Sequence, residues 1–268
     1  VQTSGLKILV LVKYVPDAQF PRQLTGDGHT LARGESILSE LDEYALEAAV
    51  RIRETAAGDN ATVSVTALTM GPADATNALR KALQFGADEA YHLTDEALAG
   101  SDAAATSRAL AAAYRHIGGA DLVLCGMAST DGETSLVPAQ LAERLALAQI
   151  TFADSLDVAD GVVRATRHGT TDAESLEAPL PALVSVTDQA NDPRYPNFKA
   201  IMAAKKKPVS TLSLSDVGLA PDAVGVAGSW TRVVEATERP ARTAGIVLTD
   251  EGDAGIRLVD FLAERRLL

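Results

Sequence analysis

The chain has 268 residues, 47% hydrophobic and only 4% aromatic, so a sizeable core must be built from Ala, Val, Leu and Ile. A formal net charge of −12 argues against a nucleic-acid backbone or an anionic membrane as partner, because both would be repelled over most of the surface. Its one cysteine, Cys125, can form no internal disulfide, which fits a reducing compartment, and no apolar run approaches the roughly 20 residues of a membrane span.

Val1–Gly5 carry neither a charged nor an apolar stretch, so no signal peptide is expected. Lys7–Lys13 is a run of aliphatic and β-branched residues, the pattern of a strand covered on both faces. A polar loop with Gly and Pro follows from Pro16 to about Glu35. Ser39–Thr55 predicts a helix: Ser39 is the candidate N-cap, Asp42 and Glu43 sit in the first turn, and Leu41, Ala45, Leu46, Ala49 and Ile52 share one face. Ala61–Thr69 predicts a strand, Pro72–Phe85 a helix ended by Gly86, and Ala90–Leu93 a short strand. Ser101–Ile117 predicts an Ala-rich helix, capped by Ser101 or Asp102 and ended by Gly118-Gly119. Asp121–Cys125 reads as a buried strand and Thr134–Leu147 as a helix. This alternation implies an α/β fold, a doubly wound and mostly parallel sheet with helices on both faces.

The pattern changes after Ile150. Phe152–Leu176 reads as polar, extended segments around a turn at Asp160-Gly161. Ala182–Val186 is core-like strand, Asp188–Pro196 an irregular loop, and Asn197–Ala204 a short helix. Leu214–Val226 reads as a linker or extended arm. A last helix, about Gly252–Arg266, has Ile256, Val259, Leu262 and Leu267 to bury.

The segment most suited to a ligand is Cys125-Gly126-Met127-Ala128-Ser129-Thr130-Asp131-Gly132-Glu133-Thr134-Ser135, which joins a buried strand to a helix. Small residues, hydroxyls and free amides there would stand at the carboxyl edge of a parallel sheet, where open α/β sheets bind ligands. An ordinary capped strand-to-helix turn is the competing reading; no Walker loop or GxGxxG is present. Ser39-Glu40-Leu41-Asp42 and Met70-Gly71-Pro72 would supply further walls, or simply cap their helices. Asp192-Pro193-Arg194-Tyr195-Pro196-Asn197-Phe198 is a proline-stiffened loop whose aromatics either anchor a partner or fold back onto the core. Lys205-Lys206-Lys207 reads as a solvated face, and Cys125 as core. His29, His92, His116 and His168 show no metal spacing, and no nucleophile–base arrangement stands out.

Several stretches together resemble the beta subunits of electron-transfer flavoproteins. They are Lys7–Lys13, Leu41-Asp42-Glu43-Tyr44-Ala45-Leu46-Glu47-Ala48-Ala49, Arg80-Lys81-Ala82-Leu83 with Gly86-Ala87-Asp88, Asp121–Gly126 and Asp131-Gly132-Glu133-Thr134. The most specific block runs from Leu180-Pro181-Ala182-Leu183-Val184 through Asp192-Pro193-Arg194-Tyr195 to Ile201-Met202-Ala203-Ala204-Lys205-Lys206-Lys207; Arg242-Thr243-Ala244-Gly245 also matches. The resemblance implies a Rossmann-like domain of the adenine-nucleotide-binding type over residues 1–213, and a C-terminal arm and helix over 214–268 that contact an alpha subunit. It implies AMP in this subunit, or a second FAD as in electron-bifurcating relatives, and a redox FAD held mainly by the alpha subunit. It implies flavin dehydrogenases such as acyl-CoA dehydrogenases as donors, a membrane quinone oxidoreductase as acceptor, and no catalytic site of its own. The location implied is the cytoplasm of a bacterium, or the mitochondrial matrix of a eukaryote.

Carried over by position, the nucleotide pocket uses Leu11, Ser39, Glu40, Leu41, Asp42, Met70 and the loop Gly126–Ser135 with Leu136 and Val137. Amides near Asp131–Thr134 with the Thr134 and Ser135 hydroxyls would hold phosphate. The partner surface uses Arg194, Tyr195, Pro196, Asn197, Phe198, Ile201 and Met202; Phe198 stands where the family usually has a smaller aliphatic anchor. The loop lacks the Asn-x-Thr-Gly-Gln run of AMP-binding members and is closer to an Asp-Gly-Asp-Thr-x-x-Val pattern, which keeps FAD open beside AMP. Arg167 of the family signature is retained, while His168 replaces an acidic residue and Thr170 an Asp, which would make any contact with a mobile flavin domain weaker or pH-dependent. Two alternatives share the fold. A stand-alone ATP-binding stress-type module would carry a G-x2-G-x9-G-(S/T) pattern, and a PP-loop-type enzyme an SGGxDS-like loop where Lys13-Tyr14-Val15-Pro16 stands.

Overall fold

The computed structural model describes residues 5–25, 30–58, 62–237, 240, 245–247 and 249–268. His29 and Arg242-Thr243-Ala244 therefore lie outside the described residues. Seven parallel strands form the central sheet: β1 (Leu6–Leu11), β2 (Val63–Met70), β3 (Glu89–Leu93), β4 (Leu122–Gly126), β5 (Ala148–Ala153), β6 (Ala182–Val186) and β7 (Val209–Leu212). Their spatial order is β7-β3-β2-β1-β4-β6-β5. Strand order thus reverses at β1, which pairs with β2 from Leu6↔Val63 to Leu11↔Leu68 and with β4 from Ile8↔Leu122 to Val10↔Leu124.

Alternation along β1 explains why both of its faces are apolar. Ile8 and Val10 pack with α1 (Glu40–Gly58) and α2 (Thr76–Phe85). Leu9 and Leu11 point to the other face, where α3 (Ala103–His116) and α4 (Val137–Leu145) close the core. Small side chains let these helices approach closely: Ala45, Ala49, Ala78, Ala82, Ala109 and Ala113 are all fully buried. Of the two candidate caps for α3, Asp102 makes the bond, its carboxylate accepting from the Ala105 amide at 2.9 Å.

The polar stretch after Ile150 resolves into a three-stranded antiparallel sheet, Ser155–Ala159, Val162–His168 and Ala173–Pro179. Its first hairpin turns at Asp160-Gly161 with both residues at positive φ, as a two-residue turn of right-handed strands requires. Val163, Ala165 and Ala178 join the main core, Arg164–Glu177 pair across the strands on the exposed side, and Arg167–Glu174 pair at the rim of the core-facing side, where Arg167 also donates to the Thr151 carbonyl.

Several expectations need correction. The helix expected over Thr134–Leu147 is shorter: Ala146 in the left-handed region ends α4, and Ala148–Ala153 is sheet strand β5. Strand β7 adds an edge to the sheet that no pattern in Val209–Leu212 announces, because four residues carry little periodicity. Leu214–Val226 is no linker. Leu214 and Val224 are buried in the core, and the Gly225 amide donates to Ser101 Oγ at 2.8 Å, so the segment packs within the compact unit that runs to Ala236. The remaining residues, Thr237–Leu268, form a second unit with α6 (Ala254–Glu264). Its apolar side chains are not buried as expected: Ile256, Val259 and Leu267 are 68%, 53% and 66% exposed. Among the described residues, no helix is long and apolar enough to cross a membrane.

Candidate functional site

The carboxyl ends of β1 and β4 stand side by side at the point of strand-order reversal, and their loops carry most of the candidate residues. The Ser39 amide donates to the Lys13 carbonyl at 2.9 Å, which ties the start of α1 to the end of β1. Asp42 then turns its carboxylate inward. The Lys13 amide donates to Asp42 Oδ2 at 2.7 Å, and the Gly126 amide bonds the same carboxylate. Burial pushes the Asp42 carboxyl up to about 7, against the pull of these two amides and of the Lys13 ammonium.

Gly126 is where the two turns touch. A Cβ there would lie 2.8 Å from the Leu41 carbonyl oxygen and 2.9 Å from Asp42 Oδ1, so only glycine fits. Two hydroxyls nearby, Ser39 Oγ and Thr69 Oγ1, are buried without a hydrogen-bond partner. Ser39 therefore does not cap α1 through its side chain. Buried polar atoms are almost always paired, so two unsatisfied hydroxyls at neighbouring strand ends fit a group that supplies donors and acceptors, as a ribose or adenine does. Met70, one residue beyond Thr69, ends β2; the amide of Gly71 after it bonds the Leu93 carbonyl at 3.1 Å.

The loop after β4 is held by cations that the sequence did not single out. Lys13 Nζ donates to Asp131 Oδ1 at 2.8 Å and to Ser129 Oγ at 3.2 Å. Arg33 donates to Asp131 Oδ2 at 2.7 Å, and Arg22 to the Thr130 carbonyl at 2.5 Å. Burial would raise the Asp131 carboxyl, but the Lys13 ammonium and the bonds from Lys13, Ser129 and Arg33 hold it below the usual carboxylate range. Lys13, Arg22 and Arg33 against Asp131 leave local positive charge in an acidic chain, which suits phosphate oxygens. Arg22 and Arg33 lie far from this loop in sequence, so only the fold reveals them.

The expected helix terminus over Thr134–Ser135 lies later. Pro138 sits in the first turn of α4, which begins at Val137, and Glu133 and Ser135 are in the left-handed region at φ 49° and 53°. Non-glycine residues rarely adopt that conformation unless the site requires it. A groove of about 1090 Å³, lined among others by Gly5, Thr62, Asp121 and Leu156, opens at the opposite, amino-terminal end of the strands and shares nothing with these loops.

The proline-framed loop after β6 projects its aromatics outward: Tyr195 is 97% and Phe198 77% exposed, with Met202 beside them on α5 (Phe198–Ala204). Ile201 is partly buried, and Asn197 caps α5 by accepting the Ala200 amide at 2.9 Å. Arg194 points the other way, onto Glu47 and Glu54 of α1. Lys207 is not simply solvated; its ammonium caps α2 through the Leu83 and Ala87 carbonyls. Cys125 is buried as expected, and burial pushes its thiol well above the usual range. His168 is exposed, and Asp154 Oδ2 accepts its amide at 2.7 Å and lies 2.9 Å from its Nδ1. No cluster of three metal-ligating side chains occurs among the described residues.

Comparison with known proteins adds an independent line. Residues 29–217 match the model of the electron transfer flavoprotein domain. The chain is 45% identical over 263 residues to the electron transfer flavoprotein subunit beta of Mycobacterium leprae (strain TN), covering 97% of this chain and 99% of that one. It is 44% identical, over the same shares, to the protein of that name from Mycobacterium tuberculosis (strain ATCC 25618 / H37Rv). It is 35% identical to the caffeyl-CoA reductase-Etf complex subunit CarD of Acetobacterium woodii, covering 98% of this chain and all of that one.

Proposed function

This chain belongs to the electron transfer flavoprotein beta-subunit family, a family of electron carriers, and from that premise we propose that it is one half of an alpha–beta heterodimer that holds AMP as a structural group. The observations that carry the nucleotide reading are the junction of Gly126 with Leu41–Asp42 and the unpaired buried hydroxyls of Ser39, at the start of α1, and of Thr69, near the end of β2. Leu11, Ser39–Asp42 and Met70 bound the base and ribose. The Gly126–Val137 loop, backed by Lys13, Arg22 and Arg33, takes the phosphate. FAD, held mainly by the alpha subunit, would supply the redox chemistry, with flavin dehydrogenases as the electron donors and a membrane quinone oxidoreductase as the acceptor. The role of this chain is to bind, orient and dock. Exposed apolar side chains at Trp230, Val234, Val247 and Ile256 support contact of the C-terminal arm and helix with the alpha subunit.

A second reading places FAD in the AMP position. The Asp131-Gly132-Glu133-Thr134 loop favours it, being closer to the Asp-Gly-Asp-Thr pattern than to the Asn-x-Thr-Gly-Gln run, and the similarity to the caffeyl-CoA reductase-Etf complex subunit supports it. Denaturing the purified heterodimer and identifying the released nucleotides separates the readings. One FAD with one AMP is expected; two FADs would establish the second reading, and FAD alone would overturn the pocket.

The exposed tip at Phe198 is the proposed anchor for the electron-donating dehydrogenase. Phe198→Ala in the heterodimer should raise the KM for heterodimer about tenfold in reduction by an acyl-CoA dehydrogenase, as removal of a buried aromatic anchor does. Its melting temperature should stay put, since an exposed ring contributes little to folding. An unchanged KM would remove that role.

A further inference from the structure

The loop that carries Tyr195 and Phe198 is fastened to α1 at successive turns. The Asn191 side-chain amide donates to the Tyr44 carbonyl at 3.0 Å, and Arg51 donates to the Asp192 carbonyl at 3.1 Å. Arg194 makes the strongest attachment. Its Nε and Nη2 reach the two carboxylate oxygens of Glu47 at 2.7 and 3.1 Å, and its Nη1 and Nη2 reach those of Glu54 at 2.6 and 2.9 Å. The Arg194 amide adds a bond to Glu47 Oε2 at 3.2 Å. Residues 44, 47, 51 and 54 follow the spacing of one helix face, so α1 offers the loop a single straight edge. The Glu47 side chain is only 3% exposed, and Arg51 pairs with it as well, so this carboxylate is fully compensated.

Such an arrangement is more than two exposed aromatics need for folding. A planar guanidinium forked between two carboxylates fixes direction as well as distance. With Arg194 turned inward, the next residue, Tyr195, is turned out, and the capped start of α5 holds Phe198 and Met202 beside it. Around this apolar tip stand the exposed Lys199, Lys205 and Lys206, in a chain of net charge −12. The surface it fits is an apolar socket bordered by carboxylates.

We propose that Arg194 is a positioning residue for electron transfer: with Glu47 and Glu54 it pre-orders the Tyr195–Phe198 tip on α1, so that the donor dehydrogenase docks without first ordering the loop. This rests on the docking reading of Phe198 given above. A loop ordered in advance binds more tightly because the ordering entropy is not lost at encounter.

The test uses the heterodimer and the same dehydrogenase, with heterodimer as the varied substrate. Arg194→Gln should raise KM about tenfold and leave kcat within about twofold, since binding is weakened and the transfer distance in the docked complex is not. Arg194→Lys should restore part of the loss, because one ammonium cannot span both carboxylates. Phe198→Ala combined with Arg194→Gln should be little worse than either alone, as both act through one tip. Should Arg194→Gln fail to fold, Glu54→Gln removes only the outer half of the clamp and should raise KM about threefold. If Phe198→Ala raises KM while the Arg194 and Glu54 variants do not, or if the two effects multiply, the inference falls and the docking reading stands. If Phe198→Ala itself has no effect, both fall together.

Discussion

Gly126→Val should empty the nucleotide pocket, reducing released AMP to under about a tenth of the wild-type amount per heterodimer. The Cβ of any side chain there lies 2.8 Å from the Leu41 carbonyl oxygen and 2.9 Å from both Leu41 C and Asp42 Oδ1. Two of these atoms are backbone at the second residue of α1, so they cannot rotate away. The start of α1 must lift from the end of β4. That shift breaks the bond from the Gly126 amide to Asp42 and displaces Ser39 from the Lys13 carbonyl. Overpacking of this kind costs about 1–3 kcal/mol, and valine, branched at Cβ, belongs at the upper end. Gly126→Ala should fall between valine and wild type on both measures. Gly34→Ala is the control, because a Cβ there meets nothing within 4 Å. Nucleotide content after denaturation and the melting temperature are the two readouts. A valine variant with full nucleotide and unchanged melting would contradict the junction as a binding element.

The same residue shows how much of the site the sequence discloses. Gly126 ends the apolar run Leu122-Val123-Leu124-Cys125, and that local pattern suffices to place it at the carboxyl end of a strand. Long apolar strands and capped helices were legible for the same reason: their signals repeat within a few residues. The Gly126–Val137 loop and the Ser39–Asp42 turn were visible as candidates, but not their contact, which depends on β1 and β4 being neighbours across more than a hundred residues. Arg22, Arg33, Glu47 and Glu54 were invisible as functional groups. Their spacing is that of ordinary solvated charges, and only the fold brings them onto Thr130, Asp131 and Arg194. Short edge strands such as β7 escape for want of periodicity, and Leu214–Val226 misled because its Gly, Pro and Asp mark turns whether or not the turns are packed.

Asp42 should make the chain lose stability as pH rises from about 4 to 7, opposite to the usual behaviour of a paired carboxylate. Its ordinary value is 3.8 and its folded value about 7. Between those values the unfolded chain has released the proton and the native chain keeps it. Native protein therefore binds more protons, and the stabilisation, complete below the ordinary value, is lost as pH passes through the folded one. The difference corresponds to on the order of 4 kcal/mol across the window, or about 1.4 kcal/mol per pH unit. Asp131, held below the usual range, acts with the opposite sign and loses its contribution on acidification. The comparison must therefore be with Asp42→Asn, in denaturant unfolding of the full chain at several pH values. Asparagine keeps one acceptor oxygen for the Lys13 amide and does not titrate, so the pH-dependent part of the comparison reports the Asp42 proton. Wild-type minus Asp42→Asn stability should fall between pH 5 and 7 and level off above about 8. Bound AMP should follow the same direction, because a neutral Asp42 does not repel a phosphate held by Lys13, whereas an ionised one does. A difference that stays flat from pH 5 to 8 would mean that Asp42 titrates as an ordinary carboxylate, and that the end of β1 is wetter than its burial implies.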